Sequence, residues 1–148
     1  MKFWYYLIQW TWGIIQNIIG GLFCLILMLL GNKPEMQRNA ICMETKYNWG
    51  GACNIGMFIF LGKGCRSCIP HEYGHSIQGL MWGPLWLFVV AIPSLTRAGY
   101  RTWYYDHVYP KTRKSLPHYD AVWFEGQATK LGNKYFSKFV GSTLGGTA

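Results

Sequence analysis

His71-Glu72-Tyr73-Gly74-His75 stands between an oily first half and a basic, aromatic second half of this chain. The five residues make an HExxH pattern. On a helix, a spacing of four sets both imidazoles on one face about one turn apart, where they can occupy two positions around one metal ion. Glu72 projects beside the pair, and a carboxylate there can accept a proton from metal-bound water. That makes the pattern one of zinc hydrolases and not of a zinc site alone. Pro70 suits a first helical turn, where its missing N–H costs nothing, and Gly83-Pro84 predicts a stop or bend. A helix is therefore expected over about 70–81.

Beyond this helix the composition points to a membrane. Of 148 residues, 51% are hydrophobic and 14% charged, well under the roughly one quarter usual in soluble domains. Residues 3–30 contain no charged side chain, which predicts one transmembrane helix, with Trp4, Tyr5, Tyr6, Trp10 and Trp12 as an aromatic belt. Gln9, Gln16 and Asn17 are polar enough to want partners inside a helix bundle. The net charge of +8 comes from basic residues that flank apolar runs without forming a dense cluster or a nucleic-acid motif. It favours lipid over nucleic acid as the partner.

Turn residues divide the region from Gly31 to Gly64, and Ala40 to Tyr47 and Ala52 to Leu61 are expected to pair as an antiparallel hairpin through Asn48-Trp49-Gly50-Gly51. In many zinc peptidases a strand beside the site helix pairs with extended substrate, and by analogy this hairpin has that alternative to simply covering the membrane face of the domain. Cys65-Arg66-Ser67-Cys68 is a lone CxxC, read as incidental thiols or a local disulfide. Leu85 to Ile92 is a second apolar segment ended by Pro93. It makes 70–95 a kinked span or a re-entrant hairpin, and basic flanks on both sides favour the latter. Tyr100 to Tyr119 reads as a basic, aromatic loop with short helical pieces, and Tyr119 to Phe139 as a helix.

Catalytic zinc usually takes three protein ligands. The extension that would supply a third histidine close by is absent, because Met81 occupies its place. That leaves His107, His118, Asp106, Asp120 and Glu125, of which Glu125 has the helical placement seen in gluzincins. His118 and Tyr119, just upstream, are candidate oxyanion donors. A site-2-type intramembrane protease would want a later Asp-Gly ligand motif, which Asp106-His107 and Asp120-Ala121 do not supply.

His71 to Gln78, together with Gly83-Pro84-Leu85-Trp86-Leu87-Phe88-Val89-Val90-Ala91-Ile92-Pro93-Ser94, resembles small bacterial membrane proteins that carry an HEYGH-type zincin site. Trp10 to Gly13 and Ile55 to Phe60 extend the resemblance, which spans roughly residues 10–132. It implies Glu125 as third ligand and location in a bacterial inner membrane. It lends no substrate, since the family is defined by its motif. This chain departs from the pattern with Gly126-Gln127 in place of a Lys-Trp pair and Thr129 in place of an acidic residue, and the second change removes an expected partner for a metal-bound histidine.

The expectation is a mainly α membrane protein with one membrane-embedded zincin-like domain over 1–140. It comprises a transmembrane helix at 3–30, a β-hairpin at 37–61, the HExxH helix with its apolar hairpin at 70–95, and a third-ligand helix at 119–139. A flexible tail follows at 141–148. The function read from it is a membrane-bound zinc metallopeptidase acting on a peptide or protein substrate. His71, His75 and Glu125 hold Zn2+, and Glu72 is general base. The alternative is a non-catalytic membrane scaffold whose zinc is structural, with Cys65 or Cys68 as a fourth ligand. No oligomeric state follows from the sequence.

Overall fold

The computed structural model describes residues 2–136. The expected tail at 141–148 and the end of the last expected helix lie outside them. The described residues are mainly helical with a small mixed sheet.

The run expected to be one transmembrane helix is two, α1 (Lys2–Thr11) and α2 (Ile14–Leu29), bent by 93°. Among the described residues no single helix is long and apolar enough to cross a membrane, although the bent pair passes together on length and composition. Side-chain hydrogen bonds account for the break. The Asn17 amide donates to the Gln9 carbonyl at 2.5 Å, taking an acceptor that a continuing helix would have used, and the Gly13 N–H reaches back to Ile8. Asn17 also accepts from the Met57 N–H at 2.8 Å. Gln9 donates to Ser76, whose hydroxyl shares a 2.6 Å bond with Tyr5. The polar residues of the apolar run thus tie the bend to the sheet and to the helix that follows it.

The sheet corrects the expected hairpin. Strands β1 (Pro34–Gln37), β2 (Ala40–Glu44), β3 (Ala52–Ile55) and β4 (Phe58–Leu61) lie in the order β1-β2-β4-β3. Residues 52–61 are not one strand. Gly56, at φ +64°, turns them back on themselves, so β3 and β4 form a hairpin and β4 lies parallel to β2. Every residue of β4 is apolar and buried, which suits a central strand covered on both faces, whereas β3 carries Asn54 and takes the edge.

Helix α3 (Ile69–Trp82) carries the HExxH motif within a residue or two of its expected bounds, with Pro70 in its first turn and Gly83 at φ +51° ending it. Pro93 does not end the next segment. A 3₁₀ turn (Gly83–Leu85) and a π turn (Leu87–Ala91) lead into α4 (Ile92–His107), and Pro93 occupies its first turn. The wider π turn accommodates the missing N–H, so the helix runs on where a loop was expected. After α5 (Tyr109–Thr112), extended chain and a 3₁₀ turn (Tyr119–Ala121) lead into α6 (Trp123–Phe136).

Helices α3 and α6 pack with backbones almost touching. A β-carbon on Gly74 would run into the Ala128 carbonyl, and one on Gly132 into the Pro70 carbonyl. Alanine in place of a helical glycine ordinarily stabilises by about 1 kcal/mol through chain entropy. Here the obstacle is backbone that cannot yield, and overpacking of this kind costs about 1–3 kcal/mol. Gly74→Ala is expected to lower the thermal unfolding midpoint by several degrees, whereas a raised midpoint would refute the close crossing.

Candidate metal centre

Three side chains from two helices converge on one point. His71 and His75 sit one turn apart on α3, with ring centroids 4.8 Å apart and planes nearly perpendicular. Both rings turn Nε2 toward the same carboxylate oxygen, Oε2 of Glu125 in the first turn of α6, at 3.1 and 3.2 Å. One potential ligand atom from each of the three residues lies within 4.8 Å of the others, so the group can hold a metal ion.

The remaining polar atoms of these side chains are engaged. The other Glu125 oxygen accepts a 2.6 Å hydrogen bond from the Ser94 hydroxyl on α4. Nδ1 of His71 lies 2.8 Å from the Thr129 hydroxyl, so the residue that replaces the expected acid still supplies a partner. Nδ1 of His75 lies 2.7 Å from Oε1 of Gln78. The Gln78 amide donates to the Phe124 carbonyl at 2.8 Å and to the Gln127 side chain at 2.9 Å. With its nitrogen so committed, Gln78 offers His75 only an acceptor. Nδ1 of His75 therefore carries a proton, which leaves Nε2 to donate to the Glu125 carboxylate or, on losing its proton, to offer a lone pair to a metal ion. Gln127, the other departure from the expected pattern, is thereby part of the support.

Electrostatics separate the two carboxylates. Burial pushes Glu125 upward, but hydrogen bonds from His71, His75 and Ser94 outweigh it and hold the group well below the usual carboxylate range. Glu72 is raised, chiefly by burial and further by the charge of Glu125, with His75 and His71 only partly offsetting them. Burial and the Glu125 charge push Tyr119 up to about 12, so it keeps its hydroxyl proton.

The centre opens on a cavity of about 570 Å³ between α3, α4 and the edge strand β3. Glu72, Trp86, Ser94, Arg101 and Tyr119 line it among mainly apolar neighbours. Of the two expected oxyanion donors, the structure brings Tyr119 to this cavity, its ring 6.1 Å from that of His71. His118 is not brought there. Its side chain is exposed and caps the 3₁₀ turn, with Nδ1 accepting from the Asp120 N–H. His107 is likewise exposed and stacks on Trp103. Cys65 and Cys68 are free thiols; Cys68 reaches the cavity wall, but among the described residues neither joins the metal group.

Sequence reasoning missed Ser94, Gln78, Gln127 and Arg97. Gln78 was findable, being three residues after His75 and so on the same helical face. Arg97 donates to the carbonyls of His118 and Tyr119 at 3.0 Å and lies over the Tyr119 ring, which fixes where that ring sits. Nothing local marks Arg97 or Ser94, since their partners are remote in the chain. No family model matches the chain, and neither a curated protein nor a solved structure shows significant similarity to it.

Proposed function

We propose that the protein is a membrane-bound zinc metallopeptidase, with His71, His75 and Glu125 as ligands and Glu72 as general base. The carrying observation is the convergence of two Nε2 atoms and one carboxylate oxygen beside a second, buried carboxylate at the wall of a cavity. Two imidazoles and one glutamate are the donor set of a common class of catalytic zinc sites. A closed structural site would need a fourth protein ligand, and among the described residues none joins the three. Bound there, zinc would supply a Lewis acid for the scissile carbonyl and a water of lowered pKa.

The chain's own residues supply the rest. Glu72, raised above the usual carboxylate range by burial, takes a proton from the attacking water and returns it to the leaving amine. Tyr119 remains protonated and donates to the carbonyl oxygen as charge develops there. The free edge of β3 lines the same cavity and offers backbone groups to an extended peptide. A lipid bilayer as partner is supported by the exposed apolar residues of α2, among them Ile15, Ile18, Leu22, Ile26 and Leu29, and by the exposed Phe88 and Leu95 of the second apolar segment and α4. Covering a side chain of that kind is worth roughly 1.5–3 kcal/mol, so lipid would stabilise this face substantially. The inner membrane of a bacterium is the location that fits the resemblance.

Metal removal tests the proposal. Detergent-solubilised protein should cleave members of a fluorogenic peptide library, lose at least about a hundredfold in rate on chelation, and recover with one equivalent of zinc. Cleavage that survives chelation undiminished, or zinc-loaded protein that cleaves no member, would sink the reading.

A further inference from the structure

The cavity walls are apolar apart from the metal group and a few polar side chains, and among the described residues Arg101 is the one lysine or arginine that lines them. Its guanidinium lies over two tyrosine rings, Tyr105 and Tyr119, at 5.6 Å each. One of its nitrogens donates to the Pro117 carbonyl at 2.6 Å. A guanidinium has five N–H donors in a planar fork, so most of its capacity is left for a planar anion. Holding the 117–119 segment does not by itself require this residue, because Arg97 already grips the His118 and Tyr119 carbonyls from outside the cavity wall.

The position of Arg101 has a scale. Ser94, which touches Glu125, and Arg101 are seven residues apart on α4, which at 1.5 Å per residue is about 10 Å. An extended peptide advances about 3.3 Å per residue, so that distance is roughly three residues of substrate.

We infer that the site takes an extended, otherwise apolar peptide carrying an acidic group about three residues from the scissile bond, and that Arg101 receives that group. This rests on the peptidase reading, whose substrate class it specifies. An apolar chain matches the walls, and a carboxylate matches the single permanent cation set into them.

The test uses the full-length, zinc-loaded Glu72→Gln protein in neutral detergent and dansyl-labelled octapeptides of leucine and alanine. Each peptide carries aspartate, asparagine or lysine three residues from its centre, and binding is read by fluorescence anisotropy. The aspartate peptide should bind about tenfold more tightly than the asparagine one. Adding Arg101→Glu should reverse the order in favour of lysine, and adding Arg101→Lys should retain a reduced preference for aspartate. Zinc content and the unfolding midpoint of each variant check that the fold persists, and the Arg101→Lys arm carries the test if Arg101→Glu does not fold. Equal binding of all three peptides, or an aspartate preference unchanged in Arg101→Glu, would overturn the inference. Absence of hydrolysis by the wild type alongside an Arg101-dependent preference would remove the peptidase reading and leave the anion-recognition site standing.

Discussion

Purified Glu125→Ala protein is expected to hold less than about a tenth of the zinc that the wild type holds at equal free zinc. Glu125 supplies the one oxygen that both histidine Nε2 atoms face, and it is fully buried. Groups that merely support a ligand are worth 10–100-fold in metal affinity, so loss of a ligand itself should cost at least about a hundredfold. Among the described residues only these three form such a group, so no fourth ligand is already in place to compensate. His75→Ala should behave alike, and Ser94→Ala, which frees the far oxygen of Glu125, should show a milder loss. Zinc content by elemental analysis, with circular dichroism to confirm the helices, decides the matter. Full zinc retention in Glu125→Ala would discard it as third ligand and turn attention to Asp120 or His118.

The second large effect separates metal binding from chemistry. Glu72→Gln keeps the shape of the side chain but cannot take up a proton. Zinc content should match that of the wild type while hydrolysis falls by about 10²–10⁴-fold, the usual contribution of a positioned general base. Stability should move the other way. The Glu72 carboxyl is raised because burial penalises its charged form, and a neutral amide escapes that penalty. The unfolding midpoint is therefore expected to stay level or rise, as it does when a strained catalytic group is neutralised. Unchanged hydrolysis in a zinc-replete Glu72→Gln protein would transfer the proton role elsewhere and favour the scaffold alternative.

The N-terminal run shows where local reading failed. Absence of charge from residues 3–30 is a sound signal of an apolar environment, but it carries no information about a break. The bend at Trp12-Gly13 is held by Asn17 on Gln9 and by Gln9 on Ser76, a contact across 67 residues. The sheet failed for a related reason. Residues 52–61 look like one apolar strand until Gly56 is seen to turn them, and a parallel β2–β4 pair leaves no turn signature between its members. Pro93 misled because a proline in the first turn of a helix and a proline that stops one look the same in sequence.

The metal site divides along the same line. The sequence by itself determined that two histidines and a glutamate share a helix, with their relative placement, because a rise of 1.5 Å and 3.6 residues per turn convert spacing directly into geometry. It also narrowed the third ligand to a few residues, in a chain with only six acidic ones. Tertiary structure alone decided that Glu125 closes the group from 50 residues away, that Thr129, Gln78 and Ser94 orient it, and that His118 is left outside. The physical reason is that no local rule ties α6 to α3. Their crossing depends on Gly74 and Gly132 letting two backbones approach within reach of one metal ion, and that is a property of the packed helix pair and not of either segment alone.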